Sequence, residues 1–289
     1  MTKDSYGYYQ DIRLFSYEVS VLVALEHQLG KPIPHVLNIT GDTFGFTAED
    51  CHVTGIGLFE EPRQDSFYNS YLSRPMALDF DETEYHRIRD ERDSGPPSLL
   101  EKRLTHLPKT FGKLTHLKKL NLAIGFLYSL PESFGSLTAL QRLNLSGNRL
   151  RSLPKSFGNL TQLTSLRLHL NDLTSLPKSF DQLLNLQTLI LGSNLFRSIP
   201  NSILQLTSLK TLNLEYNYLT SLPEDFGNLI NLQSLSLNFN PLRSLPNSFR
   251  NLRNLRVLEL RETPLADSRE ERNRIENFIP AGCTIEWDQ

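Results

Sequence analysis

Seven histidines stand at positions 27, 35, 52, 86, 106, 116 and 169. They show no metal-ligand spacing, so no metal site is expected. The string Asp79-Phe-Asp-Glu-Thr83 offers an aspartate nucleophile for attack on a phosphate ester. That chemistry needs the first aspartate at a strand end in a parallel α/β domain, with lysine and aspartate partners. The non-repetitive stretch around it, near 60–102, is too short to supply such a domain. No glycine-rich phosphate loop is present, and no cofactor is expected. Asn-x-Ser/Thr strings occur at Asn38, Asn144 and Asn159, but the last two belong to a larger pattern. Cys51 and Cys283 lie near opposite ends of the chain.

Charge is unevenly spread over the 289 residues. Residues 1–100 carry a net −9 and residues 101–289 a net +7, giving −2 overall. An acidic first third joined to a basic remainder can mark an interaction region. No run of about 18 apolar residues exists, so no membrane span is expected. The opening Met1-Thr-Lys-Asp-Ser-Tyr6 lacks the apolar stretch of a secretory signal. With only two cysteines, a reducing, cytoplasmic location is expected. The charge balance argues against a nucleic-acid binder.

A 23-residue repeat positions everything else. Leu107, Leu130, Leu153, Leu176, Ile199, Leu222 and Leu245 recur at that interval, and a proline follows each. Three residues after each proline stands Phe111, Phe134, Phe157, Phe180, Ile203, Phe226 or Phe249. Inside each unit runs L-x-x-L-x-L-x-x-N-x-L, complete in Leu163, Leu166, Leu168, Asn171 and Leu173.

This frame is the leucine-rich-repeat signature. It resembles intracellular proteins of the 23-residue typical class, the Ras-suppressor and Ras-binding type, over about 104–267. The resemblance implies a curved α/β solenoid with one parallel sheet on the concave face. It also implies protein binding, with a small GTPase or its regulator as a possible partner. One unit cannot bury its leucines alone, so neighbours stack and share a core. The asparagines at 148, 171, 194, 217 and 240 should be buried and bonded to backbone, and the phenylalanines should form a second spine near the convex side. Gly125 and Thr263 break the asparagine column.

The ends read as caps. Residues 8–29 suggest a helix, from Ile12, Phe15, Val19, Leu22 and Leu25 with Gly30 as a stop. Lys31-Pro-Ile-Pro34 then makes an extended link. Residues 43–47 and 51–58 suggest a hairpin, with Val53, Ile56 and Leu58 in the leucine places of a first strand. Leu29-Gly-Lys-Pro-Ile-Pro34 followed by His52-Val-Thr-Gly-Ile-Gly-Leu58 also resembles the amino-terminal region of prokaryotic and archaeal leucine-rich-repeat proteins. Residues 267–278 suggest a polar carboxy-terminal helix, and 283–287 a last strand covered by Trp287. The organisation is thus a helix–hairpin cap (1–59), an acidic insertion (60–103), the repeats (104–267) and a carboxy-terminal helix cap (268–289). The cysteines sit too far apart to pair and read as small buried hydrophobes. Capped ends suggest a monomer.

Between the leucines, one outward column holds Asn121, Asn144, Arg167, Ile190, Asn213, Ser236 and Glu259. The next holds Ala123, Ser146, His169, Gly192, Glu215, Asn238 and Arg261. Neither column shows a nucleophile beside a base. Flanking the asparagine, Leu170, Tyr216 and Phe239 precede it, and Phe126 and Tyr218 follow it. Exposed aromatics beside Arg and Glu resemble interface anchors. The expected partner-binding set is therefore Phe126, Arg167, His169, Leu170, Ile190, Glu215, Tyr216, Tyr218, Asn238 and Phe239, with no catalytic residue. The acidic insertion is expected to fold over the concave face or one edge. The reading is a non-enzymatic scaffold binding a protein partner. The alternatives are an effector or immune-type recognition module and a regulatory subunit of an enzyme such as a phosphatase.

Overall fold

The computed structural model describes residues 6–36, 44–58 and 104–287; the expected acidic insertion at 60–103 lies outside the described residues. The chain opens with β1 (Tyr6–Tyr9) and β2 (Ile12–Phe15), an antiparallel hairpin, followed by α1 (Ser16–Leu29). This corrects the expected helix over 8–29. Gln10 and Asp11 take φ of 50° and 63°, so they turn the chain where helix was expected. Leu14 is buried in a strand, although its spacing also suits a helix. Gly30 ends α1 at φ 64° and donates its N–H to the Glu26 carbonyl at 2.7 Å. Glu26 also holds the cap together, accepting from the Tyr9 hydroxyl and, at 2.7 Å, from the Ile33 N–H.

The second hairpin is β3 (Phe44–Glu49) with β4 (His52–Leu58). From β4 the sheet continues through β5 (Lys119–Asn121), β6 (Arg142–Asn144), β7 (Ser165–Arg167), β8 (Thr188–Ile190), β9 (Thr211–Asn213), β10 (Ser234–Ser236) and β11 (Val257–Glu259). It ends, after α2 (Arg269–Phe278), with β12 (Thr284–Glu286). The ten strands lie in sequence order, and every neighbouring pair is parallel except β3–β4. The sheet is therefore parallel, as expected, with one antiparallel strand at its amino-terminal edge. Ile56 stands opposite Leu120, which makes β4 the first repeat strand. The extended link partly covers the edge beyond it, since Pro34 and Val36 bond the backbone of Phe46.

The core is built from the repeat. Each proline is followed by a 3₁₀ turn, as at Lys109–Lys113, where the Phe111 N–H returns to the Pro108 carbonyl at 2.8 Å. The phenylalanines at 111, 134, 157 and 180 are fully buried and stack with centroids 6.0–6.1 Å apart. Ile203 interrupts the spine before Phe226 and Phe249 resume it. Strands in a sheet lie about 4.8 Å apart. A spine with the larger spacing on the opposite side forces the solenoid to curve with the sheet inside. Gly112 follows Phe111 because a Cβ there would stand 1.9 Å from the Ser133 carbonyl oxygen of the next turn.

The asparagine ladder is complete. Asn171 donates to the carbonyls of Leu145 and Leu168, each at 3.0 Å, and accepts from the Leu150 N–H at 3.0 Å. Asn148, Asn194, Asn217 and Asn240 repeat the pattern. Each joins its own repeat to the one before. Thr263 keeps one of these bonds, to the Leu260 carbonyl at 2.6 Å. At Gly125 the space is taken by Asn148, whose Oδ1 would lie 2.6 Å from a Cβ. At the far end Ser268 caps α2, and Arg274 bonds the Leu245 carbonyl at 2.6 Å. Trp287 is half-buried under Arg272, whose guanidinium carbon lies 5.1 Å from the ring. Both cysteines are free and half-buried rather than fully enclosed. Burial pushes the Cys283 thiol up to about 11.

Candidate functional site

Leucines alternate into the core along each short strand, so the residues between them face the concave side. That side is electrostatically polarised. Lys119, Arg142 and Arg167 stand in β5–β7, whose strand residues include no acid, whereas Glu215 follows β9 and Glu259 and Glu286 stand in β11 and β12, with Lys210 and Arg256 preceding β9 and β11. Arg261 is held within this mixed half by Glu286 at 3.1 Å.

The mixed half is a bonded network. Asn238 donates to Glu259 Oε2 at 3.1 Å and accepts from the Arg261 N–H at 2.8 Å. Asn213 accepts from the Glu215 N–H at 3.2 Å. Burial pushes the Glu215 and Glu259 carboxyls above the usual carboxylate range. Glu215 also leans over Gly192, where a Cβ would meet its Cγ at 2.9 Å. A side chain at 192 would thus displace the carboxylate. In the basic half, Arg167 is exposed and His169 is half-buried beside it. Burial and the Arg167 charge push the His169 imidazole down to about 4, so it is neutral at pH 7. Ser146 Oγ lies 2.8 Å from His169 Nδ1. This corrects the expectation of no nucleophile beside a base. Ser146 is fully buried, however, so its hydroxyl is spent on the ring and not presented to a substrate.

The expected partner-binding residues separate into two groups. Arg167, His169, Leu170, Glu215, Tyr218 and Phe239 keep exposed or half-exposed surface. Ile190, Asn238, Phe126 and Tyr216 are buried. Phe126 lies under Arg149, whose guanidinium carbon is 4.8 Å from its ring and whose Nη1 donates to the Tyr128 hydroxyl at 2.9 Å. Tyr216 and Phe239 stack on each other at 4.1 Å, so they serve packing as well as surface. Their column has a backbone cause that residue types alone did not show. Ile124, Gly147, Leu170, Ser193, Tyr216, Phe239 and Glu262 all take φ between 50° and 67°. One left-handed residue per repeat turns the chain from strand into the ascending loop, and only Gly147 is a glycine there.

A second cluster was invisible to histidine spacing. Glu18 on α1, His52 at the start of β4 and His116 just before β5 offer ligand atoms all within 4.8 Å of one another. Glu18 is fully buried; its Oε2 accepts from the Val53 N–H at 3.3 Å. Its Oε1 stands 3.4 Å from His52 Nδ1, and neither atom has a hydrogen-bond partner among the described residues. Burial pushes the Glu18 carboxyl up to about 7, and burial together with His116 pushes the His52 imidazole down.

Family models match the repeats: a leucine-rich repeat region at residues 100–191, and a leucine rich repeat at 184–242 and 207–265. No curated protein matches. Among solved structures, the chain is similar to a leucine-rich-repeat protein of Leptospira interrogans, at 40% identity and TM-score 0.59, covering 63% of this chain and 46% of that one. It is similar at 30% identity and TM-score 0.50 to the ectodomain of the Arabidopsis thaliana membrane receptor kinase GASSHO1/SCHENGEN3, solved in complex with CASPARIAN STRIP INTEGRITY FACTOR 2. That match covers 55% of this chain and 20% of the receptor chain. The likeness to internalin C2 of Listeria monocytogenes, at 23% identity and TM-score 0.55 over 64% of this chain and 76% of that one, concerns the fold alone. The chain thus spans less than half of the Leptospira and Arabidopsis chains.

Proposed function

We propose that this chain, which is a leucine-rich-repeat protein, is a non-enzymatic module that binds a protein partner on its concave face and along the ascending-loop edge. The polarised concave face carries the reading. A fixed array sets a basic half, from Lys119 to Arg167, against a mixed half in which Glu215, Glu259 and Glu286 stand among Lys210, Arg256 and Arg261. Complementary charge of this kind steers a partner and fixes its register. The Ser146–His169 pair, the closest approach to a catalytic arrangement on this face, has its hydroxyl buried.

Within this reading the chain is a cytoplasmic monomer. The repeat class suggests a small Ras-like GTPase or its regulator as the partner. A second reading, an effector or immune-type recognition module, draws on the Arabidopsis receptor ectodomain, which was solved with a bound factor. Nucleotide dependence separates the two. Capture of a partner that changes between GDP and a GTP analogue supports the first, and capture indifferent to nucleotide supports the second. A regulatory subunit would instead change the activity of a co-purifying enzyme.

The reading is tested by charge reversal on the concave face. Arg167→Glu with Arg142→Glu should abolish capture of the partner, whereas Leu184→Glu, on an exposed residue outside the sheet, should leave it unchanged. Deleting 62–100 tests whether the acidic insertion shields this face: gain of capture makes it a lid, and loss makes it part of the site.

A further inference from the structure

The cluster at the junction of cap and repeats, at the entry to β4 and β5, shares no residue with the proposed partner-binding set. We propose that Glu18, His52 and His116 form a binding site for one divalent transition-metal ion of the zinc type, which clamps the amino-terminal cap onto the first repeat. The three ligands come from three separate elements. Glu18 belongs to the first turn of α1, His52 begins β4, and His116 lies in the segment leading into β5. Their ligand atoms fall within 4.8 Å of one another. Around a tetrahedral ion the same atoms stand roughly 3.3 Å apart, so a movement of about an ångström closes the site.

Two observations point to a ligand rather than to a self-sufficient contact. Glu18 is fully buried, yet among the described residues its Oε1 has no hydrogen-bond partner, and His52 Nδ1 opposite it at 3.4 Å has none either. Buried polar atoms are normally satisfied, and these two face each other across a distance too long for a good hydrogen bond. An ion between them satisfies both. The donor set of one carboxylate oxygen and two imidazole nitrogens suits zinc and its neighbours in the transition series.

The third ligand supplies the freedom to close. His52 stacks on Phe15 at 4.5 Å on one side and on His116 at 3.5 Å on the other, with the two imidazoles 18° from parallel. Lone pairs of parallel rings do not converge on one ion. His116 is the exposed member, so it can rotate while Glu18 and His52 keep their places. Its exposed side also leaves the fourth coordination position to water. Metal binding would thus be coupled to the packing of the cap, as ligands from separate elements require.

The test uses the full chain stripped of metal and titrated with zinc chloride at pH 7.5, by calorimetry and by thermal unfolding with and without chelator. The expected result is one zinc per chain, a higher Tm with zinc, and reversal by chelator. His116→Phe keeps a flat ring in the stack and removes the nitrogen. It should weaken zinc binding at least tenfold, since loss of even an outer-shell partner costs 10–100-fold, and it should abolish the zinc-dependent rise in Tm. Glu18→Gln should do the same. No stoichiometric binding would overturn the proposal. So would equal affinity in wild type and His116→Phe, which would place the ion on other histidines.

Discussion

The asparagine ladder and the concave columns run through the same repeats, a few ångströms apart, and they obey opposite rules. In the ladder the same residue makes the same bonds at 148, 171, 194, 217 and 240. On the concave side the residue opposite one strand position changes from Asn121 to Arg167, Ile190 and Glu259. The ladder is buried and satisfies backbone that no water reaches, so any change leaves unpaired groups. The concave positions project from a sheet whose backbone bonds are already complete, so residue types vary there even where, as at Ile190 and Asn238, the side chain is buried. Uniformity therefore marks the scaffold, and in the proposed function variation marks the surface that would discriminate among partners.

The largest effects should fall on the uniform side. Phe157→Ala removes a ring stacked between Phe134 and Phe180 and should cost about 3–5 kcal/mol in chemical denaturation. Asn194→Ala strands the Leu173 N–H and removes one of the two side-chain bonds to the Leu168 carbonyl, and should cost roughly 2–3 kcal/mol. A loss below about 1 kcal/mol in both variants would break the contrast.

His169 gives an intermediate effect with a definite sign. Its folded pKa is depressed, so the unfolded chain binds the extra proton between about pH 6.5 and 4. Stability should fall as pH drops through that window, by about 1–3 kcal/mol after allowance for partial exposure. His169→Gln should flatten that part of the stability profile.

The left-handed column gives a smaller effect, near 1 kcal/mol. Ser193→Gly should stabilise by about 1 kcal/mol because φ 54° suits glycine, and Gly147→Ala should destabilise by a similar amount. Equal melting curves for both variants would show that the loop tolerates either backbone. The smallest stability effect belongs to the exposed positions. Arg167→Ala and Tyr218→Ala should move stability by less than about 0.5 kcal/mol, while weakening partner capture.

How much was legible in the sequence follows from the same division. A strict 23-residue period reports a stacked core, so the strands, the Phe spine and the ladder could all be read from Leu, Pro, Phe and Asn positions. The amino-terminal hairpin was missed because Ile12 and Phe15 suit either a helix face or a strand, and the turn at Gln10 and Asp11 lacks the glycine that would announce it. The left-handed column was hidden for a related reason, since six of its seven members carry side chains. Tyr216 reads as exposed from the sequence but is buried against Phe239, because stacking between repeats is a property of neighbours, not of spacing within one unit. Glu18, His52 and His116 escaped because a metal motif is sought over a few residues, whereas here hairpin, helix and first repeat must fold before the side chains meet. The Ser146–His169 pair, one repeat apart in the same column, is legible from the repeat register alone.

The most direct test of the central claim is capture of a native partner by four baits: wild type, Arg142→Glu/Arg167→Glu, Glu215→Gln/Glu259→Gln and Leu184→Glu, each matched for Tm. The account predicts that wild type and Leu184→Glu retain the same partner and that both concave variants lose it. Retention by the concave variants, or loss with Leu184→Glu alone, would contradict recognition through the concave face.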